Sequence, residues 1–163
     1  MSLFFEDVPL GEWVPLGSWT FTAEAIKDFA RKYDPQPFHL DEEAARRSHF
    51  GALCASGWHT ASVWMRLYVQ HELALTQEIA ARGERPGRMG PSPGFRNLRW
   101  LKPVYAGDTV TYAMQATGRE DWPKRPKWGL LLSENEGRNQ KGELVFSFDG
   151  RVLIERRVAE AAR

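Results

Sequence analysis

Two regimes of apolar spacing divide the chain, helical in the first half and alternating in the second. Ile26, Phe29, Ala30 and Tyr33 recur at i, i+3, i+4 and i+7, which predicts a helix capped by Thr22, favoured by Glu24 in its first turn and ended before Pro35. Asp41 can cap a short helix through about Ser48, with Glu42 and Glu43 at its start and Arg46 and Arg47 at its end, as the helix dipole prefers. A longer helix is predicted from about Ala55 to Leu75. Its polar positions are few until Arg66, so its first half should be buried on most sides.

Strands flank this helical block. The run from Trp13 to Phe21 alternates loosely and is interrupted by Pro15 and Gly17, which marks a first strand. Residues 1–12 read as an extended lead-in. Residues 81–94 carry four glycines and three prolines in fourteen positions and should form a loop. Beyond it, Phe95–Val104, Asp108–Arg119, Trp128–Asn135 and Leu144–Glu155 alternate or concentrate β-branched and aromatic residues between turns. Short connections demand antiparallel neighbours. The pattern therefore predicts an α+β fold in which an antiparallel sheet wraps one apolar helix. The 163 residues are most simply one domain, with 158–163 a frayed tail or short helix.

Composition narrows the function classes. The formal net charge of +1 offers no single-sign field for polyanions, which argues against nucleic-acid or membrane-surface binding. No apolar run approaches the ~20 residues that span a bilayer, and no basic-then-apolar leader opens the chain. A soluble cytoplasmic protein is expected. Cys54 is the one cysteine, so neither an internal disulfide nor a thiolate metal cluster can form. It reads as a buried small hydrophobe. His39, His49 and His59 are spaced by ten residues, about 280° around a helix, so they share no face and no metal site is expected.

The chemistry concentrates in Tyr33-Asp34-Pro35-Gln36-Pro37-Phe38-His39 and the following Phe50–Ser62. Two prolines fix φ and should discourage helix between Asp34 and His39, which would make a rigid acid/base pair. The alternative gives Asp34 a turn-capping role and His39 a packing role.

The run FARKYDPQPFHLDEEAARRSHFGALCASGWHTAS closely resembles the signature of the MaoC-like dehydratases and (R)-specific enoyl-CoA hydratases. Their pattern is Asp-x-Asn-Pro-x-His, then a helix ending in a small apolar patch, then Ala-x-Gly. Gly94–Val110 is similar to the family's Phe-x-x-Pro-Val-x-x-Gly-Asp-Thr segment, and Asn139–Val145 to its Asn-Gln-x-Gly-Glu turn. Together these cover about two thirds of the chain in the family's order.

The resemblance implies a hotdog fold, an antiparallel sheet around a long central helix, in a homodimer or higher homo-oligomer. It implies addition of water to a trans-2-enoyl thioester, or the reverse dehydration. Coenzyme A would be part of the substrate, and no cofactor is implied. Asp34 and His39 match the catalytic pair, and Gly57 matches the glycine whose N–H faces the thioester carbonyl, where a helix N-terminus would stabilise enolate charge. Gln36 stands where the family usually has Asn, beside the pair. Ser62 and Trp58 are further substrate-binding candidates. Trp58, Trp64, Met65 and Tyr68 either shorten an acyl tunnel or pack between sheet and helix. Arg82, Arg85 and Arg88 could pair with coenzyme A phosphates or form a solvated basic loop. A hotdog thioesterase usually places an acidic residue on the central helix, and residues 55–65 contain none. A non-catalytic thioester-binding or accessory subunit is the remaining alternative.

Overall fold

The computed structural model describes residues 3–157, so the tail expectation for 158–163 lies outside the described residues. Five strands form one antiparallel sheet: β1 (Trp13–Thr20), β2 (Gly94–Trp100), β3 (Thr109–Asp121), β4 (Trp128–Asn139) and β5 (Leu144–Glu155). Their order is β1-β3-β4-β5-β2, so the three hairpin-linked strands lie at the centre and β1 and β2 at the edges. The helices are α1 (Ala23–Tyr33), the single turn α2 (Pro37–Leu40), α3 (Glu42–Arg47) and the long α4 (Gly57–Ala81). The sheet curls around α4, which is the hotdog architecture.

Capping sets where the helices begin. Thr22 Oγ1 accepts from the Ala25 N–H at 3.2 Å, and Asp41 Oδ1 from the Ala44 N–H at 2.7 Å, as their sequence positions require. The start of α4 differs from the expected Ala55. Ser56 is its N-cap, its Oγ accepting from the Trp58 N–H at 3.2 Å, which makes Gly57 the first helical residue. At the other end α4 runs past Leu75 to Ala81.

The segment between Asp34 and His39 is a second correction. Pro37 does not discourage helix there but begins one, occupying the first turn of α2, where its missing N–H would have had no intrahelical partner. The lead-in is a third. Phe5–Asp7 form a 3-10 turn, and Phe4, Phe5 and Val8 are buried rather than trailing in solvent. The Phe5 ring lies where a Cβ on Gly129 would be, 2.5 Å from its atoms, so this turn closes over β4.

Between α4 and the sheet, Val63, Trp64, Leu67 and Tyr68 pack with Leu16, Met114, Ala116 and Leu131. Tyr112 is fully buried on β3, and its hydroxyl donates to the Thr60 carbonyl at 3.1 Å, fixing the helix height over the sheet. Bulges interrupt β1 between Pro15 and Gly17 and β2 between Arg96 and Arg99. The interruption of the first strand is thus a bulge within one continuous element.

The 82–93 loop is strapped down. Glu155, at the end of β5, accepts from Arg85 Nη1 at 3.1 Å, from Arg88 Nε at 3.1 Å and from the Arg88 backbone N–H at 3.1 Å. Arg82 pairs with Glu84 at 2.8 Å. These arginines are held by carboxylates of their own chain, so the phosphate-pairing expectation for them gives way to a structural one.

Candidate active site

Asp34 leaves α1 as its C-cap, with φ −153° and ψ 69°, because Pro35 forbids a further helical turn. Its carboxylate is thereby aimed away from the helix, toward the N-terminus of α4. Ser56 Oγ donates to Asp34 Oδ2 at 2.6 Å and Gln36 Nε2 donates to Oδ1 at 2.8 Å. The longer glutamine side chain therefore still reaches the carboxylate. Burial raises the Asp34 pKa, but the Ser56 and Gln36 hydrogen bonds outweigh it, aided by His39 when that ring is protonated, and the group titrates below the ordinary Asp value.

His39 is carried on α2, 5% exposed, with its Nδ1 2.7 Å from the Cys54 carbonyl oxygen. A carbonyl only accepts, so Nδ1 carries a proton, and in the neutral tautomer Nε2 is the free acceptor. That Nε2 lies 3.5 Å from Asp34 Oδ2. The separation is long for a direct hydrogen bond and lets both atoms reach one shared water.

Gly57 lies at the mouth of α4, where the first N–H groups have no intrahelical carbonyl to reach. Its carbonyl accepts from Trp100 Nε1 at 2.8 Å and from Thr60 Oγ1 at 2.6 Å. The Trp100 ring covers it so closely that a Cβ on residue 57 would lie 2.5 Å from the indole. Trp58 meets Trp100 edge-on, with ring centroids 5.1 Å apart.

Asp34, Gln36, His39, Gly57 and Trp58 line one cleft of about 380 Å³, with Phe38, Phe50, Trp100 and Lys102. Five of the six site residues expected from the sequence thus converge. Ser62 does not: it is exposed, and its hydroxyl donates back to the Trp58 carbonyl at 2.7 Å within α4. Ser56 and Trp100 are the residues that sequence reasoning missed. The signal for Ser56 was present, since serine directly before a helix-initiating glycine is an N-cap pattern.

Two nearby groups are chemically quiet. Burial pushes the Cys54 thiol up to about 11, so it is not a nucleophile at neutral pH. His59 stacks on Phe29 with ring centroids 4.6 Å apart and meets Phe21 edge-on at 4.9 Å, and burial lowers its pKa to about 4. The unfolded chain takes up this proton near pH 6.5 and the folded chain only near pH 4. Stability carried by the neutral ring is therefore complete above pH 6.5 and falls as the pH drops toward 4, by on the order of 2 kcal/mol at pH 5. Chemical denaturation at pH 7.5 and 5 should show this loss. His59→Phe should reduce it, and an unchanged acid slope in that variant would assign the loss to other groups.

Known proteins share this fold. The model of the MaoC like domain matches residues 11–129. An uncharacterized Bacillus subtilis protein, YdeM, is 28% identical over 151 residues, covering 93% of this chain and 98% of that one. The crystal structure of a MaoC-like dehydratase from Rhodospirillum rubrum superposes with a TM-score of 0.78 at 36% identity, over 96% of this chain and 99% of the other. An (R)-hydratase from A. caviae, involved in PHA biosynthesis, shares the fold with a TM-score of 0.65 at 22% identity, over 90% of this chain and 97% of the other. A matched domain covering most of the chain, the hotdog sheet and helix, and a related dehydratase of nearly equal length together make this chain a member of the MaoC-like domain family.

Proposed function

We propose that the protein is a hydro-lyase that adds water to, or removes it from, an enoyl/3-hydroxyacyl thioester of coenzyme A. The observation that carries this reading is the placement of Asp34 Oδ2 and His39 Nε2 3.5 Å apart in the cleft that Gly57 also lines. In the hydration direction, the two atoms hold one water. His39 Nε2 takes its proton as the oxygen bonds to the β-carbon, while the π electrons move toward the thioester carbonyl. Asp34, kept ionised by Ser56 and Gln36, orients the water and stabilises the imidazolium. The enolate oxygen is met by the Gly57 N–H and the positive end of α4. The imidazolium then returns its proton to the α-carbon on the same face, which completes a syn addition and restores neutral His39.

The cleft lining includes one cation, Lys102, which pairs with Glu143 at 2.5 Å. The test is the loss of enoyl-thioester absorbance with a panel from crotonyl-CoA to longer and branched enoyl-CoAs. Turnover of at least one supports the lyase. Thioester binding with no turnover across the panel would leave a non-catalytic binding subunit.

The working unit is a homodimer at least. Trp58, Met65, Val69 and Leu73 are large apolar side chains exposed along α4 at spacings of seven, four and four, a stripe suited to cover by a second copy. Sedimentation of the wild type should report two or more copies, and Leu73→Glu should shift it toward monomer at equal concentration. A wild type that sediments as an active monomer would remove the dimer.

A further inference from the structure

His59 is buried in the first turn of α4, does not line the cleft, and has no partner for its Nδ1 among the described residues. What the ring contributes is its faces and edge. One face stacks on Phe29 of α1, with planes 3° apart and centroids 4.6 Å apart. Phe21 meets the same ring edge-on at 4.9 Å. Phe21 is fully buried and itself fixed, its N–H donating to the Asp108 carbonyl and its own carbonyl accepting from the Gly107 N–H, both at 2.8 Å. His59 is therefore clamped between a residue anchored on the turn that leads into β3 and the helix that leads to Asp34.

Both sides of this clamp connect to the site. The His59 N–H donates to the Ser56 carbonyl at 2.9 Å, which ties its backbone to the residue that caps α4 and binds Asp34. Phe29 lies five residues before Asp34, and its ring also meets that of Tyr33, the residue directly before Asp34, at 5.0 Å. Ser56 and Asp34 stand at the ends of two different helices, joined by a hydrogen bond of 2.6 Å. A helix stopped by proline has no further turn to steady its end, so a lateral contact is what keeps that end in place. The stack of His59 on Phe29 is such a contact, and aromatic pairs add geometric preference to burial.

We infer that His59 is a positioning residue for Asp34: its ring, stacked on Phe29, holds the end of α1 against the N-terminus of α4 and keeps the carboxylate within reach of Ser56 and His39 Nε2. The aromatic ring does this and its nitrogens do not, so phenylalanine at position 59 preserves the role and alanine loses it. Misplacing a reacting group by 1 Å can cost on the order of 10²-fold in rate, and a partial loosening of α1 about tenfold. This inference rests on the hydratase reading for what Asp34 does, not for what holds it.

Two measurements separate these. Amide hydrogen exchange of the full-length protein, followed by NMR, needs no substrate. In His59→Ala and in Phe29→Leu, the amides of α1, including the Asp34 N–H that donates to the Ala30 carbonyl at 3.0 Å, should lose protection relative to those of β3 and β4. The expected loss is about tenfold, and His59→Phe should keep the wild-type ratio. Phe29→Leu carries the test if His59→Ala does not fold. With an enoyl-CoA substrate, His59→Ala should lower kcat about tenfold with KM nearly unchanged, and His59→Phe should restore it. In a Ser56→Ala background the same His59→Ala change should cost no more than about twofold, because the bond through which it acts is already gone. Protection lost equally across the molecule, a His59→Phe variant that loosens α1 as His59→Ala does, or a full tenfold loss persisting in the Ser56→Ala background overturns the inference. Failure of the hydratase reading shows separately, as wild-type protein without enoyl-CoA turnover, and the exchange result then still decides what holds Asp34.

Discussion

Asp34→Asn is expected to lower kcat for enoyl-CoA hydration by between about 10²- and 10⁴-fold while leaving the thermal transition nearly unchanged. The substitution preserves shape but changes what each atom can do. The native carboxylate only accepts, and three donors or potential donors converge on it: Ser56 Oγ, Gln36 Nε2 and, once protonated, His39 Nε2. An Asn side chain has one accepting atom and one NH₂. If its oxygen takes Ser56, its NH₂ confronts Gln36. If its oxygen takes Gln36, its NH₂ confronts Ser56 and the imidazole. Either arrangement removes the negative charge that stabilises the imidazolium and holds the water. The stability cost should be small, because the side chain is partly solvated and Ser56 still caps α4. Comparable turnover in the variant would move the base elsewhere. A collapse of the fold would make Asp34 a structural residue instead.

The parts of this site that were legible in the sequence are those set by local rules. Asp34 and His39 are five residues apart with two prolines between them; Thr22 caps the helix that ends at Asp34, and Asp41 caps the one that begins just past His39. What was not legible depends on partners distant in the chain. Arg85 and Arg88 left a choice between phosphate pairing and a solvated loop, because nothing in their own loop marks Glu155, about seventy residues further on, as their partner. Trp100 was hidden for a different reason. Alternation assigns a strand residue to a face only if the register is unbroken, and the bulge between Arg96 and Arg99 breaks it just before Trp100. Pro37 was misread because proline at the first turn of a helix and proline within a rigid extended segment look alike in sequence.

The local and distant parts meet at one residue. Ser56 caps α4 and at the same time binds Asp34, so the position of the carboxylate is tied to the position of the helix N-terminus. Asp34, beside His39, and the N-terminal end of α4 at Gly57 are therefore held in one geometry by a single hydroxyl. That arrangement suits a reaction in which proton transfer and charge development on the thioester oxygen must be aligned.

Gly57→Ala should reduce kcat about 10²- to 10³-fold, the range expected when an oxyanion-hole donor is lost or mis-set. Helical geometry is not the reason, because alanine is the better helix former and residue 57 has no left-handed φ to protect. The obstacle is space: the new methyl would stand 2.5 to 2.7 Å from the Trp100 indole. Either the indole moves, losing its hydrogen bond to the Gly57 carbonyl, or the start of α4 moves and carries the Gly57 N–H with it. Overpacking of this kind costs about 1–3 kcal/mol of stability. The double variant Gly57→Ala, Trp100→Ala separates the two roles of the glycine. Removing the indole relieves the clash, so stability should recover in part. Activity should not, because the methyl still occupies the approach of the thioester carbonyl to the helix N-terminus. Recovery of turnover together with stability would show that Gly57 serves only to seat Trp100, and the oxyanion role would have to pass to another donor in the cleft.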